Sequence, residues 1–166
     1  MRILGIDPGI AIVGYSVIDA VDGVYTLVSS GSIQTDKNKS EAGRLYEIAT
    51  DLEEIIKAYK PYTAGVEKLY FFKNQKTIIP VAQARGVIMM TLEKYSISAV
   101  EYTPIVVKQT ITGYGRASKD EVAQAVEKMV EKDGKNWPKL DDTVDSIAIA
   151  VCHARNEECN LSQYAV

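Results

Sequence analysis

The sequence predicts an α/β protein. Its sheet is mixed and five-stranded, a three-strand antiparallel meander plus two parallel strands, flanked by helices. Three observations predict it. The first 35 residues hold three β-rich runs separated by tight-turn signals. From Leu45 the apolar period changes from two residues to three and four. Beyond that point, helical patterns alternate with short strand-like runs at 62–67 and 97–102.

Residues 2–7 read as a buried strand ending at the turn Asp7-Pro8-Gly9. Strands over 12–19 and 24–35 follow, and Asp22-Gly23 between them is a two-residue hairpin signal. Leu45, Ile48, Leu52, Ile55, Ile56 and Tyr59 form one apolar helical stripe, with Glu47, Asp51 and Glu54 facing away and Lys60-Pro61 as the stop. A strand at 62–67 precedes a helix over 74–94 that contains Pro80 and Gly86 as points of bending. After the strand at 97–102, Thr103-Pro104 has the form of an N-cap with proline in the first turn, opening a helix to Thr112. Gly113-Tyr114-Gly115 breaks it. Ser118-Lys119-Asp120-Glu121 fits a capping box, and Val122, Val126, Met129 and Val130 supply the apolar face beyond it. The last helix is expected over 142–155, with a frayed tail at 156–166, so that residues 1–155 make one domain.

A parallel strand reached through a helix returns by a right-handed crossover. The simplest closure sets the 62–67 strand beside the first strand, on the side away from the meander. That makes a switch point, where ligands favour the crevice beyond the strands' carboxyl ends. Asp7 and Glu67 fall at those ends.

The chain has 166 residues, enough for one core that buries about two-thirds of the unfolded surface. Its 22 acids exceed its 19 Lys and Arg, a net charge of −3 that at first argues against a nucleic-acid partner. The average conceals a division. Residues 68–119 carry 8 basic and 2 acidic side chains, while both flanks are acidic. Cys152 and Cys159 form no CxxC pair and there is one histidine, which excludes a structural zinc site. The N-terminal residues lack a secretion leader, and no apolar run approaches the ~20 residues needed to cross a bilayer. A soluble, reduced, cytoplasmic protein with no membrane association is expected.

Asp7 alone is a common turn former, and Glu67 alone is an acid at the end of a buried run. Asp141-Asp142-Thr143-Val144-Asp145 leads into an apolar helix, where acids often serve only as caps. Asp142 and Asp145, three apart, share a helix face. Carboxylates gathered in one place repel unless cations neutralise them. Oxygen ligands with few histidines favour Mg2+ or Mn2+ over zinc. Two such ions can activate water and stabilise the leaving oxygen of a phosphodiester.

These motifs, taken together, resemble the RuvC Holliday junction resolvases of the ribonuclease-H-like superfamily. The marks are Gly5-Ile6-Asp7-Pro8-Gly9 with Gly14, Val66-Glu67, Lys73-Asn74, Gln83-Ala84-Arg85-Gly86 and Val107-Lys108-Gln109. Gly113, Gly115, Ala117 and Lys119 follow, then Asp142-x-x-Asp145 with Ala148, Ala150 and His153. The resemblance implies that Asp7, Glu67, Asp142 and Asp145 bind metal and catalyse, with Asp142 chosen over Asp141 by the family's spacing. It also implies a homodimer that resolves four-way junction DNA by paired nicks, leaving 5′-phosphate and 3′-hydroxyl ends. Two Mg2+ ions per site are implied, with Mn2+ as substitute, as is cooperation with the RuvA–RuvB branch-migration complex. Lys108 and Lys119 match family lysines near the scissile strand, Lys119 being assigned to charge stabilisation at the cleavage step. Lys73, Lys76 and Arg116, with Lys68, are expected backbone contacts. Tyr70 stands where the family often has phenylalanine and is an expected base-stacking residue. Ser146 replaces a usual alanine. His153 has two readings, a group tuning the site from behind or a packed histidine.

Two other classes share parts of this pattern. Actin-like ATPases and sugar kinases open with a similar Gly-x-Asp-x-Gly turn, but need a second such domain. A non-catalytic ribonuclease-H-like binding module would be expected to lose some of the acids, and all four remain here.

Overall fold

The computed structural model describes residues 1–69 and 75–164. Its elements are β1 (Arg2–Asp7), β2 (Ile12–Val21), β3 (Val24–Gln34), α1 (Glu41–Tyr59), β4 (Thr63–Glu67), α2 (Gln75–Lys94), β5 (Ser98–Tyr102), α3 (Pro104–Thr112), α4 (Lys119–Met129), β6 (Val130–Glu131) and α5 (Asp141–Tyr164). They build one sheet in the order β5-β4-β1-β2-β3-β6. The meander β1–β2–β3 is antiparallel, and β4 and β5 add in parallel beyond β1.

Local chemistry accounts for the punctuation. Asp22 and Gly23 both have positive φ, 50° and 78°, the condition for a tight turn that matches the twist of its strands. Ser40 accepts from the Gly43 N–H and starts α1 four residues before its apolar stripe begins. Lys60, left-handed at φ 51°, ends that helix. Thr103 caps α3 ahead of Pro104, and Ser118 with Glu121 completes both halves of a capping box on α4.

The structure departs from the sequence reading in two places. The sheet has a sixth strand, β6, which pairs in parallel with β3 through only two residues. Two residues are too few to show a period of two, so the strand was invisible in the pattern. The last helix does not end at Arg155 but continues to Tyr164. Tyr25 Oη donating to Glu158, and Asn156 donating to the Cys152 carbonyl, tie its extension down. As expected, α2 runs through Pro80 and Gly86 as one helix.

Strand alternation sorts the core into two halves. Leu4, Ile6, Val13, Val17, Ala64 and Val66 face α1 and α2, with Ile48, Leu52, Ile56, Ala84, Ile88 and Leu92 above them. Ile3, Ile18, Ala20 and Leu27 face α5, which α3 and α4 flank. Each large aliphatic side chain fully buried in this way contributes about 1.5–3 kcal/mol. The face toward α5 also holds Gly5 and Asp7 of β1 and Gly65 and Glu67 of β4, because they share parity with Ile3 and Thr63.

Candidate active site

The site begins with a furrow. Gly14, Gly5 and Gly65 lie on three neighbouring strands beneath α5. A Cβ on Gly14 would stand 1.9 Å from the Asp142 carbonyl oxygen, and one on Gly5 would stand 2.1 Å from that of Ser146. A Cβ on Gly65 would meet the His153 Cβ at 2.9 Å. Asp142, Ser146, Ile149 and His153 recur at helical steps of three and four, so one helix face descends into the furrow along its length. Only glycine permits that approach, since any side chain would occupy the space of the helix backbone. The hydroxyl of Ser146 donates to the Thr143 carbonyl within the same helix.

This close seat brings the acids together. β1 and β4 are parallel and in register through Ile6 and Val66, so Asp7 and Glu67 emerge side by side at the sheet's carboxyl end. The first turns of α5 deliver Asp145 to the same point, while Asp142 stands outside the lining of the cavity there but within electrostatic reach of Asp7. Asp7, Glu67 and Asp145 line a cavity of about 320 Å3 together with Lys108 of α3 and Lys119 of α4. Pro104, Val107, Val122, Ala148 and Ile149 form its apolar wall.

The electrostatics follow from that crowding. Burial, then the charges of Glu67, Asp145 and Asp142, push the Asp7 carboxyl up to about 8, so at neutral pH it keeps its proton and donates it to Glu67. Glu67 is raised as well, by burial and by Asp145, while the hydrogen bond from Asp7 and the nearby Lys119 and Lys108 oppose the rise. Lys119 Nζ donates to Asp145 Oδ2 at 2.9 Å, which holds the ammonium above its ordinary range. Glu67 is thus answered by a proton and Asp145 by an ammonium.

The remaining expected residues are distributed as follows. Arg116 is exposed in the loop between α3 and α4, and Lys68 is exposed just past Glu67. Lys76 belongs to the first turn of α2. Tyr70 and Lys73 lie outside the described residues. Asp141 is the first, exposed residue of α5, with Lys119 within its electrostatic reach. His153 is fully buried under β4 and β5, away from the carboxylate cavity. The Thr63 hydroxyl donates to the Ser98 carbonyl at 2.9 Å, so the His153 Nε2–H donates to Thr63 Oγ1 at 2.8 Å. Nδ1 then accepts from the Tyr102 hydroxyl at 2.7 Å. Burial drives its pKa down to about 4, and the packed, neutral reading of His153 is the one this geometry favours.

Sequence reasoning passed over the apolar wall and the supporting role of Gly65. The available signal was a glycine in each of three strands facing the small residues of α5.

A divalent cation fits the chemistry of these donors. All four are carboxylates, and the crowding that forces a proton onto Asp7 is what a dication would relieve. As the side chains stand, no group of three or more Asp, Glu, His or Cys among the described residues is placed to hold a metal ion, so the carboxylates must close up to take one.

Comparison with known proteins gives a consistent result. The model of the family described as crossover junction endodeoxyribonuclease RuvC matches residues 3–153. A protein of that name from Synechococcus sp. is 46% identical over 151 residues, 91% of this chain and 96% of its own. Another, from Caldanaerobacter subterraneus, is 40% identical over 156 residues, 94% of this chain and 93% of its own. Among solved structures, Thermus thermophilus RuvC in complex with Holliday junction substrate matches with a TM-score of 0.88 at 26% identity, over 96% of both chains. On sequence and on fold alike, this chain belongs to the RuvC family.

Proposed function

We propose that the protein resolves four-way DNA junctions by metal-assisted hydrolysis of phosphodiesters, in recombination and repair. The observation that carries this reading is the meeting of acids from β1, β4 and α5 in one cavity with lysines from α3 and α4. It supports one strand of DNA lying over the sheet's carboxyl end, with its scissile phosphate between carboxylates and ammonium groups.

Asp7, Glu67, Asp142 and Asp145 are the residues that would hold the metal, two Mg2+ ions per site, with Mn2+ able to replace them. When bound, such ions supply Lewis-acid charge at the phosphate and make water a nucleophile near neutral pH. To receive a cation, Asp7 would release to solvent the proton it shares with Glu67, and Asp145 would part from Lys119. Lys119 is then free to turn its ammonium toward the charge that develops on the phosphoryl oxygens. Lys108 answers the phosphate from the other side of the cavity wall. Pro104, Val107 and Ile149 keep bulk water from the carboxylates, which strengthens every charge interaction there.

Paired nicks across a two-fold junction call for two equivalent sites, so the working form is a homodimer. Lys68, Lys73, Lys76 and Arg116 contact the backbone beyond the cut, and Tyr70 stacks on an unpaired base. The four metal ligands account for part of the net acidity, and two divalent ions cancel their charge. The excess of basic over acidic side chains falls in residues 68–119, with 8 against 2. Among the described residues no helix is long and apolar enough to cross a membrane. The protein acts in the cytoplasm on chromosomal DNA, and its partners there are the RuvA–RuvB branch-migration proteins.

The test incubates the protein with an end-labelled four-way junction, with and without Mg2+. Paired, symmetric nicks that require the metal are expected. Absence of cleavage over a range of junction sequences would reject the reading.

A further inference from the structure

We propose that Gln109 is a positioning residue that aims Lys119 by bracing the loop between α3 and α4; this rests on the role given to Lys119 above. Gln109 has an exposed side chain, so core packing does not account for its place. Its amide nevertheless spans the loop. Nε2 donates to the Gly113 carbonyl at 2.7 Å, and Oε1 accepts from the Gly115 N–H at 2.9 Å. A donor meets an acceptor at one end and an acceptor meets a donor at the other, so the flipped amide would mispair both. The side chain acts as a one-residue strand laid against the loop backbone.

That loop determines where α4 begins. Gly113, at φ 79°, turns the chain out of α3. Gly115 then folds back on the first turn of the same helix, where a Cβ would stand 3.1 Å from Ile105 Cγ2. The neighbouring Pro104 lines the carboxylate cavity. The Tyr114 carbonyl accepts from the Ala117 N–H, Ala117 is buried, and Ser118 caps the helix whose first residue is Lys119.

Lys119 needs such a foundation. Its side chain is 68% exposed and reaches Asp145 Oδ2 at 2.9 Å. A lysine stem has four rotatable carbons and here little packing to hold it. Its direction depends on the backbone at its root. The capping box holds that root from the helix side, and the two hydrogen bonds of Gln109 hold it from the loop side.

The experiment is a double-mutant cycle in single-turnover cleavage of a labelled four-way junction with Mg2+, with junction affinity measured in parallel. Gln109→Ala and Gln109→Glu are each made with Lys119 present and with Lys119→Ala. With Lys119 present, Gln109→Ala should slow cleavage by about tenfold while affinity stays within about twofold. Gln109→Glu keeps the shape but sets a carboxylate against the Gly113 carbonyl, and should slow it at least as much. In the Lys119→Ala protein neither change should slow cleavage further. Equal slowing in both backgrounds, or none with Lys119 present, overturns the proposal. If Lys119→Ala by itself cleaves at the wild-type rate, the role of Lys119 falls and the proposal with it. The rate of that single variant tells the two failures apart.

Discussion

Gly14→Ala tests whether the glycine furrow sets the geometry of the site. The new methyl carbon would stand 1.9 Å from the Asp142 carbonyl oxygen and 2.4 Å from its carbon, where ordinary contact begins at 3.4 Å. The clash is with backbone, so no rotamer change relieves it. The first turn of α5 must retreat by more than about 1 Å, taking Asp142 and Asp145 away from Asp7 and Glu67. Overpacking of this kind costs about 1–3 kcal/mol, against the roughly 5–15 kcal/mol that holds a domain together. Nearly all of the variant should therefore remain folded. A displacement of this size can cost about 100-fold in rate, far more than the unfolded fraction explains. The assay pairs urea unfolding with single-turnover junction cleavage under saturating Mg2+. Wild-type cleavage in a folded variant would refute the claim that close approach of α5 assembles the site. A loss of rate that merely tracks the loss of folded protein would refute it equally.

Other expected outcomes are open to simpler measurements. Asp7→Asn should bind the junction in a gel-shift assay yet fail to cut it; cutting at the normal rate would remove Asp7 from the metal site. Lys119→Ala should lower the cleavage rate by at least about tenfold and weaken binding much less, and the reverse pattern would make it a simple phosphate contact. His153 is the only histidine, and its folded pKa of about 4 lies below the ordinary 6.5. As pH falls below 6.5 the unfolded chain takes up a proton on this histidine that the folded chain refuses, so the histidine's contribution to stability declines until the folded pKa is reached. Going from pH 7 to pH 5.5 should cost wild type about 1 kcal/mol more than it costs His153→Gln, a comparison in which the opposite contribution of the raised Asp7 carboxyl cancels. Equal costs in the two proteins would place the titration elsewhere.

Much of this molecule could be read from local chemistry. The Asp22-Gly23 turn, the caps at Thr103 and Ser118 and the stop at Lys60 each involve residues within a few positions of one another, so their energetics are written in the chain itself. Strand order was legible for a related reason. With a right-handed crossover required, β4 had one simple place beside β1, and that put Asp7 and Glu67 at the same end of the sheet. β6 and the continuation of α5 to Tyr164 were hidden because each depends on a distant partner, β3 for one and Tyr25 for the other. The sequence by itself determined which acids are available, which strand ends carry them and where the basic residues concentrate. Folding alone settles that the Asp7 carboxyl is pushed far above its ordinary range, that Lys119 pairs with Asp145 and that His153 is packed with a lowered pKa. Those properties depend on burial and on distances of about 3 Å between residues far apart in the chain, and here the depth at which α5 seats on three glycines determines both.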